Sequence, residues 1–564
     1  MDDAAYNQAY KSLMNYKKVN VKFQQITLLS LFLSTVFISA NAQTKKMLTA
    51  PPENAFSAIP DPNKPVTFRN PVVPGFNSDP SVCRVGDDYY MVSSTFEYFP
   101  GVPVYHSKDL VNWALIGHCI SRPTQLPDAL NIFATTIRHH NGVFYMITTN
   151  TGVEGNFYVT ASNPAGPWSD PIFIKIKAID PDLFFDDDGK TYVISSSFEL
   201  FEIDIKTGKL LSEGRKVWNG TGGRYPEGPH LYKKDDFYYL MAAEGGTEEA
   251  HSETIARSKY IWGPYSENPA NPILTHVNAS AQGNPVQGVG HADLVQAHND
   301  SWWMIFHGYR TVTTGVHHVI GRETFLAPVS WPENGWPVVN GNGTVTLEMT
   351  SPTLPLKPFP AKPSRINFDE SKLDLEWNYL RYPITENYST IARKGFLRLK
   401  GSKETIEDQK TPTFAGRRVR DLYFSASTQM EFNPSKSNEE AGITLLNNSA
   451  HFDLLVKENN GSRVLISRLR FGDVVYESKP VTLKPGSVRL AVKGEKSTFT
   501  FLYAQGNDPF KTVEQVQSKY LSSEVVGGFS GLYVGLYATG NHQASTAVAD
   551  YDWFEYKSDV PDQK

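Results

Sequence analysis

Cysteine is almost missing from this chain. Cys83 and Cys119 are the only two in 564 residues, which excludes a disulfide framework, and no Cys/His cluster has zinc-ligand spacing. Spacing alone does not pair the two thiols, and buried free cysteines are the expectation. Lys and Arg never gather into a long block and the net charge is only -5, so a nucleic-acid partner has no electrostatic footprint. Helical periodicity is also lacking after residue 42, which excludes an all-α or α/β interior. The length exceeds what one ordinary core accommodates, so two or more domains are expected.

One longer apolar run stands near the start, from Ile26 to Ala40. Lys17, Lys18 and Lys22 precede it, and Ala40-Asn41-Ala42 follows as a small-x-small site ahead of Gln43. That order reads as an export signal, too short for a comfortable membrane span. No cysteine lies at the cleavage point, which argues against a lipid anchor. The expectation is an N-terminal extension and signal peptide over 1–42, a linker over 43–65, and a soluble mature protein, periplasmic or secreted, with no membrane span.

What the chain has in excess is rings: 12% of residues are aromatic, with 28 Tyr. They fall in short runs with Val and Ile between Gly, Asn, Asp and Pro, the texture of an all-β protein. Five apolar anchors, Val82, Ile137, Leu183, Leu231 and Leu294, are each followed by a turn signal and an aromatic strand, as in Gly86-Asp87-Asp88-Tyr89-Tyr90 and Asn299-Asp300-Ser301-Trp302-Trp303. Their spacing of roughly 46 to 63 residues suits one four-stranded propeller blade. A five-bladed β-propeller is therefore expected over 66–350. A Pro-rich linker over 351–363 breaks the pattern, and the strand-like runs of 364–557 suit a C-terminal β-sandwich of the concanavalin-like, jelly-roll kind.

Three repeats open with a carboxylate: Asp79 in Asp79-Pro80-Ser81-Val82, Asp180 in Asp180-Pro181-Asp182-Leu183, and Glu227 in Glu227-Gly228-Pro229-His230-Leu231. The first strand of each blade lines the central channel, so these residues should converge on the axis. Hydrolysis of a glycosidic bond needs such a set: an acid for the leaving oxygen and a carboxylate on the opposite face. Glu227, between prolines in a partly apolar surround that would raise its pKa, suits the acid. Asp79, on a polar turn, suits the base, and Asp180 would tune Glu227 by like-charge repulsion. His291 opens the fifth unit and should also face the axis, as a ligand to a channel ion or water. Arg322 is placed to bond sugar hydroxyls.

At these residues the chain resembles glycoside hydrolase family 43. The resemblance rests on Gly75-Phe76-Asn77-Ser78-Asp79-Pro80-Ser81, Phe96-Glu97-Tyr98-Phe99-Pro100-Gly101-Val102, His106-Ser107-Lys108-Asp109-Leu110, Glu227-Gly228-Pro229-His230-Leu231 and Glu244-Gly245-Gly246-Thr247. It implies a propeller enzyme with Asp79 as general base, Glu227 as general acid and Asp180 as pKa modulator, in an inverting mechanism. It further implies Phe96 lining the sugar pocket, Arg322 holding the terminal sugar, Phe529 at the tip of a sandwich loop on the pocket rim, and His291 beside a channel calcium ion. No cofactor is required for the chemistry. Where many of the family's β-xylosidases carry a Trp-Ala-Pro-Asp segment, this chain has Phe133-Ala134-Thr135-Thr136, so Phe133 should reshape the pocket wall. The expected substrate is a plant polysaccharide or oligosaccharide, and the expected activity is exo-acting release of α-L-arabinofuranosyl units. A β-xylosidase or dual-specificity enzyme is the alternative, and a non-catalytic carbohydrate-binding protein a remote one.

Overall fold

Successive side chains of a strand point to opposite faces, and here the two faces serve different neighbours. Met146 joins Val92, Val104 and Ile137, whereas the adjacent Ile147 joins Leu183, Val193 and Ile203. The split recurs at Leu240, which packs with Ile194 and Leu231, and at Met241, which packs with Ile255, Leu294 and Met304. Strands apolar on both faces must be covered on both, and a ring of radially stacked sheets covers every one. The computed structural model describes residues 65–559 apart from 127–129, 152–154, 313–315 and 352–353. The expected leader at 1–42 and all of the first linker except its last residue lie outside the described residues.

Five antiparallel sheets form the ring. Their innermost strands are Ser81–Val85, Ile132–His140, Asp182–Phe185, Glu227–Lys234 and Val286–Gln296, and each carries one of the five anchors. The ring is closed by the segment ahead of the first blade. Val66–Arg69 pairs with Glu348–Ser351, Asn70 exchanges two hydrogen bonds with Leu326 at 3.0 and 2.9 Å, and Val73 bridges to Thr324. The last blade is thus stitched to the start of the chain through its third strand, Glu323–Ser330. Cys83 and Cys119 lie buried and free on the first and last strands of blade 1.

Ser351, expected to begin the linker, instead ends a strand. The following segment is fastened across blade 1: the Lys357 amide donates to Asp109 Oδ2 at 2.6 Å, and Phe359 meets His106 edge-on. Beyond it, antiparallel sheets of eight and seven strands enclose Phe424, Leu454, Leu490, Val534, Tyr551 and Phe554. Among the described residues the one α-helical turn is Ser523–Val526, and no helix is long and apolar enough to cross a membrane. Sandwich and propeller share a two-stranded sheet, Tyr379–Leu380 with Tyr98–Phe99. They also meet at Gly531, where a Cβ would stand 2.1 Å from the Ile320 carbonyl oxygen, so only glycine allows that approach.

Candidate active site

Four of the five innermost strands carry a residue in the left-handed region, just ahead of the strand at Asp79 (φ 52°) and Asp180 (φ 56°), at its second residue at Gly228 (φ 56°) and within it at His291 (φ 51°). Each lies three residues before its apolar anchor. Such conformations cost a non-glycine residue on the order of 1–3 kcal/mol and persist where the surroundings impose them. They break the strand's alternation at that point. In the fourth unit glycine takes the left-handed place and the carboxylate stands one position earlier, at Glu227, where the ladder shifts register.

The breaks meet around one imidazole. His291 Nδ1 lies 3.8 Å from Asp79 Oδ1 and 3.9 Å from Glu227 Oε1. Asp79 Oδ1 also accepts from Arg322 Nη1 at 2.6 Å and faces His307 Nδ1 at 3.0 Å, while its Oδ2 accepts from Ser94 Oγ at 2.5 Å. Glu227 Oε1 is 3.2 Å from His251 Nε2. Asp180 Oδ2 accepts the Gly228 amide at 3.3 Å, so it lies directly behind Glu227. Asp79, Asp180, Glu227 and His291 are therefore brought to one point.

Burial alone would raise the Asp79 carboxyl, but Arg322, His307 and His291 outweigh it and hold the group well below the usual range. Asp180 goes the other way. Burial and the charges of Glu227 and Asp79 push it up to about 7, against the pull of His291. Burial opposes the charge on His291 too, yet the carboxylates around it raise it to about 9. Glu227 departs from expectation: although burial acts to raise it, His251 and His291 hold it below its ordinary value. The prolines at 226 and 229 do not make an apolar cup that outweighs two imidazoles. The like-charge repulsion expected of Asp180 upon Glu227 acts in reverse: it raises Asp180, while the two imidazoles lower Glu227.

Above these groups stands an aromatic wall. Phe96 meets Phe133 at 5.2 Å and stacks on Phe529 at 5.8 Å, and Phe133 meets Phe529 edge-on at 6.1 Å. Phe529 comes from the sandwich and is tied down by Arg322, whose Nη2 donates to its carbonyl at 3.3 Å. The guanidinium carbon lies 5.7 Å from both the Phe96 and Phe529 rings. Arg322 thus joins wall and carboxylate.

One turn of the pleat deeper, Arg138 plugs the channel. It pairs with Asp182 at 2.9 Å and Asp293 at 2.8 Å and lies 3.0 Å from His230 Nδ1. Asp293 also accepts from Ser81 Oγ and Tyr232 Oη, each at 2.6 Å. All five innermost strands contribute.

Sequence reasoning missed Arg138, His251, His307 and Ser94. His251, just ahead of the strand Ser252–Ser258, and His307, on the strand Trp302–Arg310, lie away from the repeat, and the available signal was a histidine inside an apolar run, Met304-Ile305-Phe306-His307. As for the expected calcium, Asp79, His291 and His307 are the group among the described residues whose ligand atoms lie within 4.8 Å of one another. Calcium takes six to eight oxygens, whereas this set offers one carboxylate, already held by Arg322, and two nitrogens. These donors do not by themselves make a calcium site.

The model of glycosyl hydrolases family 43 matches residues 68–337, and that of the beta xylosidase C-terminal concanavalin A-like domain matches 365–557. A non-reducing end alpha-L-arabinofuranosidase of Bacteroides ovatus is 45% identical over 87% of this chain and 95% of its own. A xylosidase/arabinosidase of Butyrivibrio fibrisolvens is 38% identical over 87% and 99%. Among solved structures, a Bacteroides ovatus xyloglucan PUL GH43B protein superposes with a TM-score of 0.84 at 44% identity, covering 87% of this chain and 100% of its own. A xylan beta-1,4-xylosidase of Bacillus halodurans gives 0.83 at 32% identity over 87% and 100%. With propeller and sandwich both matched, the chain belongs to glycosyl hydrolases family 43 and is a glycoside hydrolase acting on polysaccharide substrates.

Proposed function

We propose that the protein is an exo-acting, inverting α-L-arabinofuranosidase that trims non-reducing-end arabinofuranosyl units from hemicellulose such as arabinoxylan, arabinan or arabinosylated xyloglucan. The observation that carries this reading is an ionised, arginine-held Asp79 separated from Glu227 by a single imidazole beneath a wall of three phenylalanines. Asp79 takes a proton from water, and the water oxygen attacks the anomeric carbon as the bond to the leaving oxygen breaks. Glu227 gives its proton to that oxygen. Asp180 and Glu227 hold one proton between them, and a bound sugar that strips water from Glu227 draws it onto Glu227 for delivery. Arg322 keeps Asp79 ionised and contacts the terminal sugar. Phe529, leaning over the mouth from the sandwich, closes the far side and favours chain ends.

The relatives named for arabinose and for xylose make β-D-xylosidase activity the second reading. Phe133, in place of a Trp-Ala-Pro-Asp segment, favours the first. The export signal expected within 1–42 supports the reading of a periplasmic or secreted enzyme. Initial rates on nitrophenyl α-L-arabinofuranoside and β-D-xyloside, with NMR of the first-formed anomer, test the proposal. A higher kcat/KM on the arabinofuranoside with inverted configuration is expected; a retained anomer would exclude single displacement, and preference for the xyloside would reverse the ranking.

A further inference from the structure

Arg417 and Arg418 point to opposite faces of the strand Thr413–Arg418. Arg417 pairs with Glu376. Arg418, only 9% exposed, has no carboxylate within ion-pair distance among the described residues; its one hydrogen bond runs from Nη1 to Asn378 Oδ1 at 3.1 Å. Its Nε and Nη2 are buried without an acceptor. A buried lysine could shed its proton, but a guanidinium stays charged at any pH the fold survives. Something must therefore answer this charge, since an uncompensated buried ion is among the costliest features a fold can carry.

Its surroundings hold further unmade hydrogen bonds. Asn378 Nδ2, Tyr98 Oη, Tyr533 Oη and His118 Nε2 are likewise buried and unpartnered. Tyr533 is the cross-strand neighbour of Arg418, Tyr98 stacks on Tyr533 at 3.9 Å, and Tyr98 pairs with Leu380, two residues after Asn378. The Arg418 charge bears on Tyr98, Tyr105, His118 and Tyr533. Burial first, and Arg418 second, push the His118 imidazole down to about 3, so it is neutral and supplies no charge of either sign. Glu97, a buried carboxyl whose charge bears on Tyr98 and Tyr533, itself responds to Arg381 and not to Arg418. A water accepts about two hydrogen bonds and brings no charge, whereas this place offers donors in excess around a fixed cation.

We propose that a small monovalent anion of the halide class binds where propeller and sandwich meet, held by Arg418 Nε and Nη2, Asn378 Nδ2 and the hydroxyls of Tyr98 and Tyr533. The site is distinct from the carboxylates, but it is joined to the wall above them by rings: Tyr533 meets Phe76 at 6.5 Å and Phe76 stacks on Phe96 at 6.0 Å. The ion neutralises Arg418 and pins the sandwich against the propeller behind the pocket.

The test is thermal unfolding of the full chain in chloride-free acetate buffer, with chloride titrated in at constant ionic strength. A bromide soak of the crystallised protein accompanies it. Because the ion binds only the folded state, Tm should rise saturably, by about 2–4 °C, and anomalous density should lie within hydrogen-bond reach of Arg418. Asn378→Asp, which puts a carboxylate where Arg418 already bonds, should keep the fold and lose the chloride dependence. Arg418→Gln should also lose it. A chloride-independent Tm in the parent protein, an undiminished chloride response in Asn378→Asp, or bromide bound only elsewhere would each overturn the proposal.

Discussion

Two polar layers lie two residues apart on the same strands and obey opposite rules. In the deeper layer Arg138 is matched by Asp182 and Asp293, with Ser81 and Tyr232 completing the bonds to Asp293. Its backbone is ordinary strand. In the layer at the mouth Asp79, Asp180 and His291 have left-handed backbones, three carboxyls share two cationic partners, and one carboxyl is pushed up to about 7. A propeller axis thus supports either a pin or a reaction centre. What decides is whether the charges close locally, and where they do not, the residual imbalance is what moves protons.

The largest effect expected is at the mouth. Asp79→Ala should lower kcat by about 10⁴-fold on every substrate, since no other group there is placed to activate water. Glu227→Ala should cost about as much on natural glycosides but only about 10- to 100-fold on aryl glycosides whose leaving group needs little protonation. Equal losses on both kinds of substrate would remove Glu227 from the role of acid, and retained turnover in Asp79→Ala would remove Asp79 from that of base.

Arg138→Met tests the other layer. It leaves Asp182 and Asp293 buried without their counter-charge, for a loss of about 3–5 kcal/mol in unfolding free energy. KM of the folded fraction should change little. If denaturant titration showed a loss under about 1 kcal/mol, the plug would not be holding the blades and the contrast between layers would fail.

The repeat was legible because its apolar anchors and turns follow from strand physics, and so were the propeller, the sandwich and the places where the carboxylates stand. The off-step position of Glu227 was also visible, once Gly228 is read as the left-handed residue that Asp79 and Asp180 supply themselves. Arg138 was not legible: in sequence it is one charge after Ile137, and only the closed ring brings Asp182 and Asp293 to it. The protonation of Glu227 was misread for the same reason. Its flanking prolines are local, whereas His251 arrives from the head of the third strand of its own blade and His291 from another.

A smaller effect separates the layers by pH. His291 is raised to about 9 in the folded protein from an unfolded value near 6.5. Its contribution is fully present below about pH 6.5 and is lost as pH rises through about 9, so stability should fall across that window. His291→Gln should flatten the slope of unfolding free energy between pH 6.5 and 9 by about 2–3 kcal/mol over the window. The contribution belongs to the mouth layer, since the groups that raise His291 are Glu227, Asp79 and Asp180. An unchanged slope in His291→Gln would mean that the imidazole carries no charge in the folded protein across that window.

The smallest effect concerns the blade that has no charge at the mouth. Three residues before Ile137 stands Ala134, with no left-handed turn, and its neighbour Phe133 supplies wall instead of proton. If blade 2 sets shape while the others set charge, Phe133→Ala should leave the pH dependence of kcat unmoved. The ratio of kcat/KM between arabinofuranoside and xyloside should change by about 5- to 20-fold, the scale of a change in apolar pocket contacts. A shifted pH profile would show that Phe133 shields the carboxylates from water. An unchanged ratio would mean that Phe96 and Phe529 select the sugar without it.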